Sequence, residues 1–186
     1  MSLARPKGRI SAYRQAVVEH LQSVLGDQVK TVRTHGGSFT EADLKQILAN
    51  APALHVAVLG IRPTAPVASG GVDITIKMSV FVATHNQAGY PADECALDLA
   101  PDMIMALDRW QPRDLGMFAA LPATGMVFQN LYSSGQLATG QMLSALTFDA
   151  SLRLTKDLGE PVFGGALAGT YVDGAMVEGD PSLWGL

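Results

Sequence analysis

The chain has 186 residues, of which 48% are hydrophobic and 16% are charged, and its formal net charge is −4. Because an average soluble domain carries about 25% charged residues, this composition excludes a disordered chain and favours an oligomer whose subunits cover one another's apolar surface. The acidic balance argues against a protein that coats nucleic acid, and the lone cysteine, Cys95, excludes an internal disulfide and a cysteine-based zinc site.

The start of the chain predicts a basic arm followed by a helix. Residues 1–10 contain three bases, Arg5, Lys7 and Arg9, and no acid, together with one proline and one glycine. The helix is predicted to begin at Ser11, a favourable N-cap residue, and to end near Leu25. Its apolar residues recur at steps of three and four, which gives a helix one buried stripe.

A short strand and a second helix are predicted next. Val29–Arg33 contains the β-branched residues Val29 and Val32 and is interpreted as a strand. His35–Ser38 is interpreted as a loop, because it contains two adjacent glycines. Thr40 is expected to cap a helix that ends near Asn50. Asp43 stands where the Glu or Gln of a capping box usually stands, which predicts a reciprocal cap.

The middle of the chain predicts two long strands joined by a loop. Leu54–Ile61 is apolar nearly throughout, as expected for a central strand that is buried on both faces. Val72–Thr84 alternates apolar and polar residues, which is the pattern of a strand. Residues 62–71 contain two prolines and two glycines, so we expect them to form the long connection of a hairpin.

A third helix and two further strands are predicted after this hairpin. The helix spans Asp93–Trp110, and Pro101 within it predicts a kink or two shorter helices. Gly125–Tyr132 and Gln141–Leu154 are predicted strands, and the second of them has one apolar face. Helices interspersed among strands in this way predict an α/β domain.

The composition changes after Thr155. Residues 156–186 hold five acids, one base and seven glycines, so the chain divides into an arm (1–10), a domain (11–155) and a Gly-rich acidic C-terminal extension (156–186). One interpretation of the extension is a solvated tail. The alternative is a strap that packs on a neighbouring subunit, because aromatic residues recur along it and disordered tails seldom contain them.

The sequence contains no motif that nominates an active site. A Walker-type loop, a dinucleotide fingerprint and a nucleophile elbow are absent, and the four histidines form no His-x-x-x-His pair. Carboxylates four residues apart on the third helix could serve acid–base chemistry or bind a cation, but a solvated helix face is the simpler interpretation. These carboxylates are Asp93, Glu94, Asp98 and Asp102. We therefore expect no catalytic residues, no cofactor and no metal.

One segment resembles a known family. It consists of Val32–Phe39 with its Gly-Gly loop, an acidic helix start at Glu41, and Ala51–Ala53 leading into the first long strand. This order of elements resembles the family typified by a tail protein of bacteriophage Mu and of Mu-like prophages. The resemblance extends over about residues 10–155 and does not include the arm or the C-terminal extension.

The resemblance implies a phage structural protein, a tail terminator or tail-completion subunit. Such subunits form a ring, usually a hexamer, that caps the tail tube, stops its polymerisation and joins it to the head–neck complex. The implied fold is α/β (α+β), with a mixed, mostly antiparallel sheet of four to five strands flanked by two to three helices. A closed ring needs interfaces that meet between neighbouring subunits, and the low charged fraction supplies apolar surface for them.

The implied partners are other copies of this chain, the tail tube protein and the neck or head-completion proteins. Genomic DNA would pass through the lumen without specific binding. The implied locations are the virion tail and, during assembly, the host cytoplasm. We expect no membrane partner, because no apolar run reaches the roughly 18–20 residues of a membrane span.

The loops and the extension supply candidate contacts with subunits or partners. The candidates are Arg33, His35, Gly36, Gly37, Phe39, Arg62, Val67, Phe163, Tyr171 and Trp184. Two alternatives stay open. One is a neck or head-completion protein, and the other, from a different class, is a small cytosolic ligand-binding domain or enzyme with a pocket near His35, His55 and Arg33.

Overall fold

The computed structural model describes residues 8–66, 72–87, 89–112, 123–131, 140–154, 169–172 and 175–178. The chain divides into two compact units, Met1–Thr155 and Lys156–Leu186. None of the helices in the described part of the chain has the length and apolar character that crossing a lipid bilayer requires.

Among the described residues, the first unit contains three helices and five strands, and the second contains one pair of short strands. The helices are α1 (Arg9–Leu25), α2 (Glu41–Ala49) and α3 (Ala92–Leu107). The strands are β1 (Thr31–His35), β2 (Ala53–Pro66), β3 (Val72–His85), β4 (Thr124–Asn130), β5 (Gln141–Leu154), β6 (Gly169–Val172) and β7 (Ala175–Glu178).

The five strands of the first unit form one sheet in the order β1-β2-β3-β5-β4. β1 and β2 run parallel, as the α2 crossover between them requires, and the other neighbours are antiparallel. The expected α+β fold, with a mixed and mostly antiparallel sheet flanked by helices, is confirmed. β6 and β7 form a separate antiparallel pair.

The larger core lies on the face of the sheet that α1 and α3 cover. Tyr13 and Leu21 of α1 and Met103 of α3 are buried there against Met78 of β3 and Phe148 of β5. Burial of the Tyr13 hydroxyl raises its pKa to about 12. The buried residues of each helix share one face, and this packing accounts for their helical spacing.

A smaller core lies on the opposite face of the sheet, under α2. Ile47 and Leu48 of α2 pack there with Ala57, Phe81 and Ala145 of the sheet. Both faces of β2 and β3 are therefore covered over part of their length. This double burial explains why the start of β2 is apolar nearly throughout, as expected for a central strand.

Strand β2 is longer than the sequence predicts. We expected residues 62–71 to form a loop, but β2 continues to Pro66, which pairs with Val72. Two register shifts, at Val58/Gly60 and Pro63/Ala65, accommodate the irregular residues. Beyond Ala57, β2 pairs with β3 on one side and with no other described strand on its second side. Prolines are tolerated there, because no strand on the second side needs a hydrogen bond from their missing N–H.

Two helix boundaries also differ from expectation. α1 begins at Arg9 with Gly8 as its N-cap, so the predicted N-cap at Ser11 is wrong. α3 is one helix from Ala92 to Leu107 that includes Pro101, so the alternative of two shorter helices is wrong. Pro101 has no N–H to donate to the carbonyl of Leu97, and Leu97 is an exposed residue.

Candidate functional site

The predicted contact residues near the end of β1 form an aromatic cluster. The rings of His35 and Phe39 stack with centroids 4.3 Å apart and planes inclined by 16°. Phe39 meets Phe81 of β3 edge-on at 4.5 Å, and His35 also meets the edge of His55 at 6.0 Å. Aromatic pairs in these geometries stabilise beyond the area they bury.

The Gly36-Gly37 loop is shaped by one of its two glycines. Gly37 has φ +93, and a Cβ there would lie 3.3 Å from the carbonyl oxygen of Val58. Its N–H donates to Nδ1 of His35 at 3.1 Å, which orients the imidazole. A Cβ on Gly36 would have no atom within 4 Å. Gly37 is therefore required by its backbone angle, whereas Gly36 is not.

His55 is buried beside this cluster, with 8% of its surface exposed. Its Nε2 has no hydrogen-bond partner among the described residues. Burial, followed by the neighbouring charges of His35 and Arg33, lowers the pKa of His55 to about 4. The imidazole is consequently neutral at physiological pH.

Arg33 does not turn towards the histidines to form a polar pocket. Its Nε donates to Oγ1 of Thr31 at 3.0 Å, and the side chain is exposed. The rings of Phe39 and Phe81 instead pack against the ring of His35, at 4.3 and 6.2 Å between centroids. The arrangement is a packed corner of the fold, which favours a structural role over small-ligand binding.

Arg62 lies on the part of β2 that extends beyond the expected strand. Its Nη2 pairs with Oδ2 of Asp149 at 3.3 Å, and both side chains line an open groove of about 280 Å³ together with Thr75 and Lys77. A second ion pair follows along the sheet, where Arg153 binds Asp73 at 2.8 Å and lowers the pKa of that carboxyl. This end of the sheet is polar and carries two ion pairs.

The remaining predicted contacts are only partly described. Val67, Phe163 and Trp184 lie outside the described residues. Tyr171 lies on β6, where its backbone pairs opposite Met176. The interpretation of the extension as a strap or as a solvated tail therefore stays a prediction.

A second surface, between α1 and α3, is one that the sequence did not nominate. His20 Nε2 donates to the carbonyl of Ala106 at 2.7 Å, and its ring stacks on Trp110 at 4.4 Å. Beside them lies an open groove of about 640 Å³, whose walls include Val24 and Met105. Met105 is 76% exposed, which is unusual for a residue of this type in an acidic helix. The sequence signal for this surface is the helical spacing of the apolar residues on the exposed face of α3.

The described residues offer little for catalysis. No group of three His, Cys, Asp or Glu side chains within the described ranges is placed to hold a metal ion. Burial raises the pKa of the Cys95 thiol, and the charge of Asp98 raises it further. Because the thiolate is the reactive form, Cys95 is a poor nucleophile.

Residues 9–149 match the model of the family described as Bacteriophage Mu, Gp37. The chain belongs to this family. The match runs from the first residue of α1 into β5, so it covers α1, α2, α3 and nearly all of the five-stranded sheet. One relative is the Mu-like prophage FluMu protein gp37 of Haemophilus influenzae, which is 23% identical over 142 residues, 76% of this chain and 69% of the relative. The resemblance to Mu-like phage proteins is confirmed, and this Gp37-family chain is a Mu-like phage protein.

Proposed function

We propose that the protein is a tail terminator or tail-completion subunit. Copies of the chain form a ring on the end of the finished tail tube, stop its polymerisation and provide the surface that joins the tail to the head–neck complex. The ring is a hexamer, and its other partners are the tail tube protein and a neck or head-completion protein. The protein acts in the host cytoplasm during assembly and then remains in the virion tail.

The observation that supports this proposal is membership of a Mu-like phage family over residues 9–149, which include nearly all of the five-stranded sheet. Membership of a family of Mu-like phage proteins favours a structural role in the phage particle. The domain also exposes large apolar side chains on two separate surfaces, Leu97 and Met105 on α3 and Val127 on the edge strand β4. A ring subunit needs two different contact surfaces, one for each neighbour.

The site geometry supports an assembly role over an enzymatic one. The cluster around His35 is filled by Phe39 and Phe81, and the pKa of Cys95 is raised by burial. Neither arrangement supplies an activated nucleophile or an acid–base pair next to an open cavity. We propose accordingly that the protein is not an enzyme and acts without a cofactor.

The decisive experiment measures tail tube growth in the presence of the purified full chain. Tube subunits are polymerised alone and with the protein, and the length distribution and the tube ends are examined by electron microscopy. We expect growth to stop and an additional ring of density to appear at one end. The mass of the released ring is then measured by light scattering, with a hexamer of 19.6 kDa chains as the expected species.

The alternatives give different results in the same experiment. A protein that binds only to finished heads or necks and leaves tube growth unchanged would be a neck or head-completion protein. A protein that ignores tubes, heads and necks would contradict the structural proposal altogether. Bovine serum albumin at equal mass concentration controls for crowding of the tube reaction.

A further inference from the structure

The outward face of α3 carries a continuous apolar stripe. Leu97, Ile104 and Met105 are 57%, 36% and 76% exposed, and Pro101 between them is also exposed. Residues at positions i, i+4, i+7 and i+8 share one side of a helix, so these four side chains form a strip about 12 Å long. We call these four residues the α3 stripe. An exposed strip of this kind marks an interaction surface.

The α3 stripe is bordered by carboxylates. Helix α3 contains Asp93, Glu94, Asp98 and Asp102 and no lysine, arginine or histidine. Asp102 accepts a hydrogen bond from Gln28 at 2.9 Å, whereas Asp93, Glu94 and Asp98 are exposed. A partner that covers the stripe must therefore bring apolar side chains and positive charge together.

The chain itself contains a segment with that chemistry. Residues 1–7, which precede the first described residue, have the sequence MSLARPK, with two bases, Arg5 and Lys7, the apolar Leu3 and no acid. We propose that this N-terminal segment of one copy docks on the α3 stripe of a neighbouring copy. Arg5 and Lys7 pair with the exposed carboxylates at the start of α3, and the apolar residues of the segment cover Leu97.

Helix geometry requires the segment to come from a different copy. α1 and α3 run antiparallel, because Tyr13 of α1 approaches Trp110 and His20, further along α1, contacts Ala106. Gln28, just after α1, contacts Asp102 in the same sense. Gly8 lies below the level of His20 on α1, and Asp98 lies above the level of Ala106 on α3. Because the helices are antiparallel, the two stretches add, and Gly8 and Asp98 are separated along the helix axes by 20 residues, or about 30 Å. Three extended residues between Gly8 and Arg5 add only about 10 Å. The bases therefore cannot reach the acidic start of their own α3.

The contact is head-to-tail, since the bases leave one end of the helix pair and the acids lie at the other. Contacts of this type are heterologous and close into a ring when the rotation between subunits permits. The inference deepens the proposed terminator function, on which it rests for the ring. It identifies one of the two surfaces through which neighbouring subunits meet and the chemistry that holds them.

A charge-swap experiment on the full chain tests the contact. Self-association is measured by sedimentation equilibrium at low salt for the wild type, for R5E/K7E, for E94K/D98K and for the chain with all four substitutions. We expect each double variant to weaken association at least about tenfold and the combined variant to restore it to within about threefold. E19K/D27K, with the same charge change at exposed positions on and after α1, should associate like the wild type.

A crosslinking measurement shows whether the contact is between copies. Light and heavy isotope forms of the wild type are mixed and treated with a zero-length carboxyl–amine crosslinker. We expect mixed-isotope peptides that join Lys7 to Glu94 or Asp98. Crosslinks confined to one chain, or double variants that associate like the wild type, would overturn the inference. A chain that stays monomeric at about 0.5 mM would also overturn it, since a contact this weak could not order a ring.

The two proposals can fail separately. If R5E/K7E stops tube growth and forms the same ring as the wild type, the docking inference is wrong and the terminator function stands. If the wild type forms rings that depend on the arm but leaves tube growth unchanged, the contact is real and the terminator function is wrong. If the segment is crosslinked to a tube or neck protein instead, its docking site lies on a different chain and the inference is overturned.

Discussion

The imidazole of His20 stacks on the indole of Trp110, with ring centroids 4.4 Å apart and ring planes inclined by 11°. The same imidazole donates through Nε2 to the carbonyl of Ala106. Trp110 also approaches Tyr13 of α1 at 6.4 Å. These contacts tie α1 to the residues that follow α3, on the same pair of helices whose outer surface carries the α3 stripe.

Replacing this indole should loosen the helix pair. We expect Trp110→Ala to lower the free energy of unfolding by roughly 2–3 kcal/mol, because the ring packs against the main core and stacks on His20. Trp110→Phe, which keeps a ring, should cost about half as much. Urea unfolding followed by far-UV circular dichroism measures both, and equal costs for the two variants would contradict the stacking argument.

The two glycines of the β1–α2 loop form a matched pair for a second prediction. Gly37→Ala should cost about 1–2 kcal/mol of stability, because the new Cβ meets the Val58 carbonyl and the backbone has a positive φ. Gly36→Ala should change stability by less than about 0.5 kcal/mol. Denaturant midpoints of the two variants, measured side by side, test whether the Gly-Gly motif depends on its second residue alone.

The capping box of α2 provides a third prediction. Oγ1 of Thr40 accepts the N–H of Asp43, and Oδ2 of Asp43 accepts the N–H and the hydroxyl of Thr40. Thr40→Ala should destabilise the protein by about 1 kcal/mol, and Thr40→Ser, which keeps the hydroxyl, should resemble the wild type. Amide hydrogen exchange of the first turn of α2 gives a local readout, and unchanged protection in Thr40→Ala would argue against the cap.

The buried imidazole of His55 predicts a dependence of stability on pH. Its pKa is about 4 in the folded chain and 6.5 when unperturbed, so between these values the unfolded chain binds a proton that the folded chain does not. The neutral His55 therefore makes its full contribution to the free energy of unfolding above pH 6.5, and this contribution is lost as the pH falls towards 4. We expect Tm to fall by about 4 °C across this window, after allowance for partial solvent screening.

Substitution separates His55 from other titrating groups. His55→Phe should flatten the loss of Tm between pH 6.5 and 4, although its absolute stability also reflects the change in packing. His85→Gln, at the end of β3, should keep the wild-type profile. Profiles of the same slope for wild type and His55→Phe would show that burial of His55 does not set the acid response.

Much of the fold is readable from local sequence. The capping residues Thr40 and Asp43 were predicted and are confirmed, and the alternating pattern of β3 correctly indicated a strand. These signals act within a few residues along the chain, where dihedral preferences and single hydrogen bonds dominate. The periodicity of α1 likewise identified the face that the core buries.

The features that the sequence did not predict depend on distant partners. The end of β2, Pro63 and Pro66 included, is held in the sheet by pairing with β3, whereas its local composition indicates a loop. The carboxylates of α3 correctly suggested an exposed face, but Leu97 and Met105 among them were not recognised as an exposed apolar strip. Their exposure is decided by what packs on α3, and only the tertiary arrangement supplies that information.

The position of β5 inside the sheet has a consequence for the order in which the chain can fold. β5 pairs with β3 on one side and with β4 on the other, yet it is the last of the five strands to be synthesised. Until residue 154 has left the ribosome, β3 can pair only with β2, and its other edge stays open. Pairing between strands about 70 residues apart is slow, so chaperones have a window in which to bind the nascent subunit before it can join any ring.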